Sequence, residues 1–279
     1  MRHLIGREEA DFVCIQETKA KDISDARCFA LWGDNNVGWV HNKGEEGSGS
    51  LLSMWHKEGF SYEYHLMGKG FIVVVGQHVK SSVRCVVANV YSPCALNAKK
   101  TLWEELSNVK TVSQESIWCC CGDFNAVRSR SERKGVRGRN DQVREISGFN
   151  SFIDHMALLD LPLVGKNYTW FRPDGTAKSR IDRGLATEEW LLKWPMCKQY
   201  VLRREVSDHC ALVMKSVEKD WGPKPFRSID AWFLERGFNI LVKDKWESFP
   251  VQGNEIVSFK EKLKLLKSCL LYTSDAADE

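Results

Sequence analysis

The sequence predicts an α/β (α+β) fold: a four-layer α/β/β/α sandwich in which two packed mixed sheets carry helices on their outer faces. Three observations carry that expectation. Short apolar runs recur along the chain and break off at a polar or charged residue, as buried strands do when they reach a sheet rim. Segments with helical spacing of apolar residues stand between several of them. An Asp-Gly pair separates two further strand-like runs, the signature of a hairpin.

Taken in order, Leu4, Ile5, Glu8 and Glu9 read as the tail of a helix, and Asp11–Ile15 as a short buried strand ending in Gln16-Glu17-Thr18-Lys19. Gly44–Ser50 is a glycine-rich loop. Leu51–Trp55 follows as a strand. Phe71–Val75 and Val83–Tyr91 form a hairpin through Lys80-Ser81-Ser82. Asn97 is placed to cap a helix whose Leu102, Leu106, Val109 and Val112 share one face.

The organising stretch is Ile117–Cys121, an apolar run that stops at Gly122-Asp123-Phe124-Asn125. Pleating would put Asp123 and Asn125, two positions apart, on one side of the sheet. A simple turn accounts for Gly, Asp and Asn equally well. Arg128–Arg139 is a basic loop, either a solvated surface or a phosphate contact. Ile146, Phe149, Ile153 and Met156 mark another amphipathic helix. Tyr168–Phe171 and Lys178–Arg183 flank the Asp174-Gly175 turn. Thr187 or Glu188 begins a short helix, Val201–Val206 is a strand running into Ser207-Asp208-His209, and Ala211–Met214 is the last strand.

From about Lys219 the character changes: Trp221–Phe226 reads as a linker, and Phe233–Trp246 and Ile256–Leu266 as helices without a core of their own. The chain therefore divides into residues 1–217, a linker and helical segment 218–268, and a tail 269–279 that resembles a translated sequencing-library adapter.

Composition excludes more than it assigns. With 43% hydrophobic and 28% charged residues the chain is ordinary globular protein, and a net charge of +3 does not by itself identify a nucleic-acid partner. No apolar run approaches the ~18 residues of a membrane span, so no membrane partner is expected. The ten cysteines lack paired metal-ligand spacing with histidine, and Cys119, Cys120 and Cys121 lie in an apolar run as small hydrophobes. A reducing compartment, nucleus or cytoplasm, follows.

Glu17, Tyr91, Asp123 with Asn125, Asp182, and Asp208 with His209 each stand at the end of a separate strand. Gathered on one rim they make a carboxylate-rich pocket with a single imidazole. Such donors suit Mg²⁺, or Mn²⁺, rather than zinc, and that chemistry fits phosphate-ester hydrolysis.

The segments Gln16–Lys19, Tyr91-Ser92-Pro93, Gly122–Asn125, Ser179–Arg183 and Ser207–His209 occur in the order found in the endonuclease/exonuclease/phosphatase superfamily, which the chain resembles. Within it, Gly122–Arg128, Glu132-Arg133-Lys134-Gly135 and Asp220–Phe226 are similar to the apurinic-type endonuclease domain of plant LINE (non-LTR) retrotransposons. The resemblance spans residues 1 to about 250. It implies that Glu17 binds the metal, assisted by Asp208. Tyr91 and Asn125 would contact the scissile phosphate. Asp123 would position or deprotonate the attacking water. His209, oriented by Asp182, would contact the phosphate or act as base. Which of Asp123 and His209 is the base stays open.

Lys19, Arg128, Arg130, Arg172, Lys178 and Arg180 are the candidate DNA contacts, the hairpin at Asp174-Gly175 being where such enzymes probe a groove. A solvated turn explains Arg172 and Lys178 as readily. DNA is the implied substrate, with retrotransposon RNA and a reverse transcriptase in cis as partners.

Family members open on a strand ending in Trp-Asn, and this sequence begins inside the following helix. The expectation is a sheet lacking its first strand, lower stability, and stability and nicking restored by adding that strand. Two competing readings remain: an inactive fragment of a decayed element that at most binds DNA, and a phosphatase of the same fold acting on an inositol or lipid phosphate.

Overall fold

The computed structural model describes residues 1–44, 49–136, 142–204, 207–216, 232, 234–250 and 255–275. The chain forms two compact units, Met1–Glu218 and Lys219–Glu279.

The centre of the first unit is a six-stranded sheet. Its order is β4 (Phe60–Gly68), β5 (Phe71–His78), β6 (Val83–Tyr91), β7 (Trp118–Asp123), β13 (Asp182–Thr187) and β9 (Leu158–Asp160). Every pair is antiparallel except β6–β7, whose parallel register requires a crossover, supplied by α3 (Leu96–Ser113). The central strands are apolar on both faces because both are covered. Val73, Val75 and Val86 meet Leu102, Trp103 and Leu106 of α3 and Phe149, Phe152 and Ile153 of α4 (Gln142–His155). Ile72 and Val74 meet Val40, Leu51 and Trp55 on the opposite side.

Those last three residues belong to a second layer, the sheet of β1 (Phe12–Gln16), β3 (Leu51–His56) and β2 (Val37–Asn42), in that order. Its outer face is covered by α1 (Arg2–Glu8) and α2 (Asp25–Trp32), through Ile5, Cys28 and Trp32 on Leu52 and Met54. The four layers α/β/β/α are thus present. The second β layer continues in a separate three-stranded sheet of β10 (Leu163–Val164), β14 (Cys197–Val201) and β15 (Leu212–Ser216). Among the described residues β1 pairs only with β3, and β15 only with β14. A cavity of about 1530 Å³, lined by Val13 and Ile15 of β1, Val213 and Met214 of β15, and Cys119 and Cys121 of β7, is shared by the two sheets. A small sheet of β11 (Trp170–Phe171), β12 (Lys178–Ser179) and β8 (Arg133–Lys134) completes the unit. The short helix α5 (Glu188–Lys193) starts after Thr187, as expected.

Several local expectations are corrected. Asn97 lies within the first turn of α3, whose cap position is Ala95, and makes no cap bond. Val112 falls on the solvent face at 81% exposure, off the stripe of Leu102, Leu106 and Val109. The expected strand Val201–Val206 is found over Cys197–Val201, where Cys197 and Gln199 alternate inward beside Leu161 and Pro162; residues 202–204 are not strand, and Glu205 and Val206 lie outside the described residues. Lys178–Arg183 is not one strand: Arg180 and Ile181 separate β12 from β13, and the two halves join different sheets. Strands β2 and β4 and helix α2 were not anticipated.

In the second unit α6 (Arg236–Ser248) and α7 (Glu255–Asp275) are helical, with Trp246 of α6 edge-on to Phe259 of α7 at 5.6 Å. No described helix is long and apolar enough to cross a membrane. The linker Trp221–Phe226, residues 45–48 of the glycine loop and Arg137–Arg139 lie outside the described residues.

Candidate active site

Three adjacent strands put three polar side chains in one row. Tyr91 at the end of β6 is the register partner of Asp123 at the end of β7, and Asp123 that of Asp182 at the start of β13. Gly122 has φ 139°, and a Cβ there would overlap the Val90 carbonyl, so only glycine lets β7 run this close to β6.

Pleating does not bring Asn125 to Asp123. The strand ends at Asp123, and Asn125 adopts a left-handed conformation, φ 48°. Its N–H donates to Asp123 Oδ1 at 2.8 Å and its Nδ2 to the Ser92 carbonyl at 2.7 Å. Asparagine tolerates this backbone better than most residues. The turn reading of Gly-Asp-Phe-Asn is therefore realised at Asn125, with both polar side chains on the lining of one cavity.

His209 Nδ1 lies 2.9 Å and 3.0 Å from the two carboxylate oxygens of Asp182. Asp182 is fixed in turn by buried Thr169, whose hydroxyl oxygen accepts the backbone N–H groups of Ile181 and Asp182 at 3.1 and 3.0 Å. The next residue, Trp170, donates its indole N–H to Asp208 Oδ2 at 2.9 Å and pairs by backbone with His209. Glu17, exposed at φ 51°, accepts the Tyr91 hydroxyl. Glu17, Tyr91, Asp123, Asn125, Asp182, Asp208 and His209 all line one cavity.

Burial and the Asp182 charge push the Asp123 carboxyl up to about 7. Burial pushes His209 down, but the Asp182 hydrogen bond and charge, with Asp123 and Asp208 behind it, outweigh that and raise it to about 9. Burial and the neighbouring Glu17 carboxylate push the Tyr91 hydroxyl up. At neutral pH the imidazole is thus a cation and donor, while Asp123 sits where a proton acceptor works best.

Five carboxylate and amide side chains with one imidazole form a donor set that fits a hard divalent cation. Asp123, Asp182 and His209 place ligand atoms within 4.8 Å of one another. The expected ligands Glu17 and Asp208 stand outside that trio, engaged by Tyr91 and Trp170.

The candidate DNA contacts separate into two kinds. Lys19, Arg130 and Arg172 are exposed, and Lys178 lies over the Tyr168 ring at 4.9 Å. Arg128 and Arg180 turn inward. Arg128 bonds Asn150 at 2.9 Å, and Arg180 pairs with Asp160 at 2.7 Å and Glu132 at 3.5 Å beside fully buried Arg183. Sequence reasoning missed Thr169, Trp170 and Lys99. Lys99 is readable in retrospect: it precedes Leu102 by three and Leu106 by seven, the spacing of the buried face.

Solved structures share this fold. The chain is similar to the AP endonuclease LMAP from Leishmania major, at TM-score 0.58 and 14% identity over 76% of this chain and 80% of that one. It is similar to the 3′ phosphatase NExo from Neisseria bound to product DNA hairpin, at 0.57 and 16% over 77% and 92%. It is also similar to the endonuclease domain of TRAS1, a telomere-specific non-LTR retrotransposon, at 0.56 and 14% over 78% and 91%. At these identities the likeness is one of fold. No curated protein matches the chain. Residues 1–209, which hold Glu17, Tyr91, Asp123, Asn125, Asp182, Asp208 and His209, match the sequence pattern of the endonuclease/exonuclease/phosphatase family, and the chain belongs to that family.

Proposed function

We propose that this chain is a Mg²⁺-dependent DNA endonuclease of a plant LINE-type retrotransposon, with Mn²⁺ able to substitute. It nicks one strand and leaves a 3′-hydroxyl for target-primed reverse transcription, working with the element's RNA and a reverse transcriptase in cis. One observation carries this reading: Asp123, in register between Tyr91 and Asp182, shares a cavity with His209, whose Nδ1 is held by Asp182 at 2.9 Å. That pairing provides a proton acceptor for water and a cationic donor for a phosphodiester oxygen.

In this reading Asp123 takes the proton of the attacking water. Asp182 holds His209 through Nδ1, leaving Nε2–H to bond a non-bridging phosphate oxygen. Tyr91 and the Asn125 amide orient the phosphate. Glu17 and Asp208 would hold the metal, which when bound stabilises negative charge on the phosphoryl group and the departing oxygen. DNA is favoured over a small phosphate by exposed Arg172 and by Lys178 on the β11–β12 hairpin, and by relatives described with DNA or as a retrotransposon domain.

A second reading, DNA binding without turnover, is favoured by the cavity between β1 and β15, which leaves two strand edges unpaired beside the site. The test is conversion of supercoiled plasmid to open circle with Mg²⁺ and with EDTA, beside His209→Ala and an inositol polyphosphate as alternative substrate. Mg²⁺-dependent nicking abolished by the substitution supports the endonuclease. Binding without nicking supports the second reading, and phosphate release from the inositol compound would move the assignment to a phosphatase.

A further inference from the structure

Lys99 is a lysine at 1% exposure on the inner face of the α3–α4 layer, one turn into α3. A cation near a helix N-terminus is opposed by the helix dipole, so this placement needs compensation. Its Nζ donates to the Asn125 carbonyl at 2.6 Å and pairs with Glu145 of α4. Glu145 also pairs with Arg133 at 3.3 Å.

We infer that Lys99 is a positioning residue: its hold on the Asn125 carbonyl fixes the left-handed turn that carries Asn125 and, through it, the Asp123 carboxylate. Asn125 is anchored at three points. Its amide side chain reaches Ser92, its N–H reaches Asp123, and its carbonyl reaches Lys99. The first two anchors come from the ends of β6 and β7, so they move with the strand ends they join. Only the third comes from the helical layer. Without it the Asn125 carbonyl loses its Lys99 hydrogen bond, and the N–H that restrains Asp123 Oδ1 belongs to the same turn. Lys99 lines the same cavity as Asn125 and Asp123, so the strut stands directly behind the site.

The catalytic consequence rests on the endonuclease reading above; the structural one does not, and the test keeps them apart. Lys99→Met preserves chain length and leaves Glu145 paired with Arg133, so no buried charge is orphaned. Amide hydrogen exchange is measured at Asn125 and at the core residues Val74 and Val87 in the full chain. The expected result is an acceleration of about tenfold or more at Asn125 with core amides unchanged. An unchanged Asn125 rate, or one accelerated equally with the core, overturns the inference. In plasmid nicking, kcat is expected to fall about tenfold with KM within about twofold. An unchanged kcat, or a loss carried by KM alone, overturns the catalytic consequence. If the parent chain does not nick, the endonuclease reading fails and the exchange result still decides the role of Lys99.

Discussion

His209 Nδ1 sits between both oxygens of the Asp182 carboxylate, 2.9 Å from Oδ2 and 3.0 Å from Oδ1. That contact reverses what burial alone would do to the imidazole. Asp182→Asn keeps the shape and removes the charge. The His209 titration, followed by NMR, should fall from about 9 to below 7. Nicking at neutral pH should fall by about 10²-fold or more.

The pH dependence of activity should be bell-shaped. Nicking rises as Asp123 loses its proton near 7 and declines as His209 loses its own near 9. A rate measured from pH 5 to 10 that is flat across 7 would count against Asp123 as the base.

Stability should move the other way. Both groups hold their proton more tightly folded than unfolded, where carboxyl and imidazole titrate near 4 and 6.5. The His209 contribution is full below about 6.5 and lost as pH rises through 9; that of Asp123 is full below about 4 and lost through 7. Asp123→Asn should therefore abolish nicking yet stabilise the fold at pH 8 by about 2 kcal/mol, seen as a raised Tm.

Substituting the two kinds of arginine should give different phenotypes. Arg172→Ala should weaken DNA binding across sequences and reduce the salt slope by about one, with Tm unchanged. Arg180→Ala should cost about 3 kcal/mol of stability, because Glu132 and Asp160 keep their charge with one partner fewer.

The layers were legible because their signals are local. The central strands and helices α3 and α4 carry long apolar patterns that only a two-sided core satisfies. The five strand-end motifs, read in order, also led to the family that residues 1–209 match. Strands β2 and β4 escaped notice because Val37–Asn42 and Phe60–Gly68 mix polar residues with glycine or tyrosine on faces that are only partly covered. The inward turn of Arg128 and Arg180 was not readable either. An arginine looks the same in sequence whether it meets solvent or a partner on another element, as Asn150 and Asp160 are for Arg128 and Asp160 and Glu132 are for Arg180. The supports Thr169 and Trp170 were hidden for the same reason: each acts through a partner supplied by another element.

The row Tyr91–Asp123–Asp182 is spaced by the backbone ladder of β6, β7 and β13. Side-chain chemistry at those positions can change without altering the spacing, but chain length cannot. Deleting one residue anywhere in Trp118–Cys121 would slide Asp123 out of line with both neighbours and invert the faces of the strand. The frame is what this site cannot lose: away from Gly122, conservative replacements along β7 leave its geometry standing, while the smallest possible shortening takes it apart.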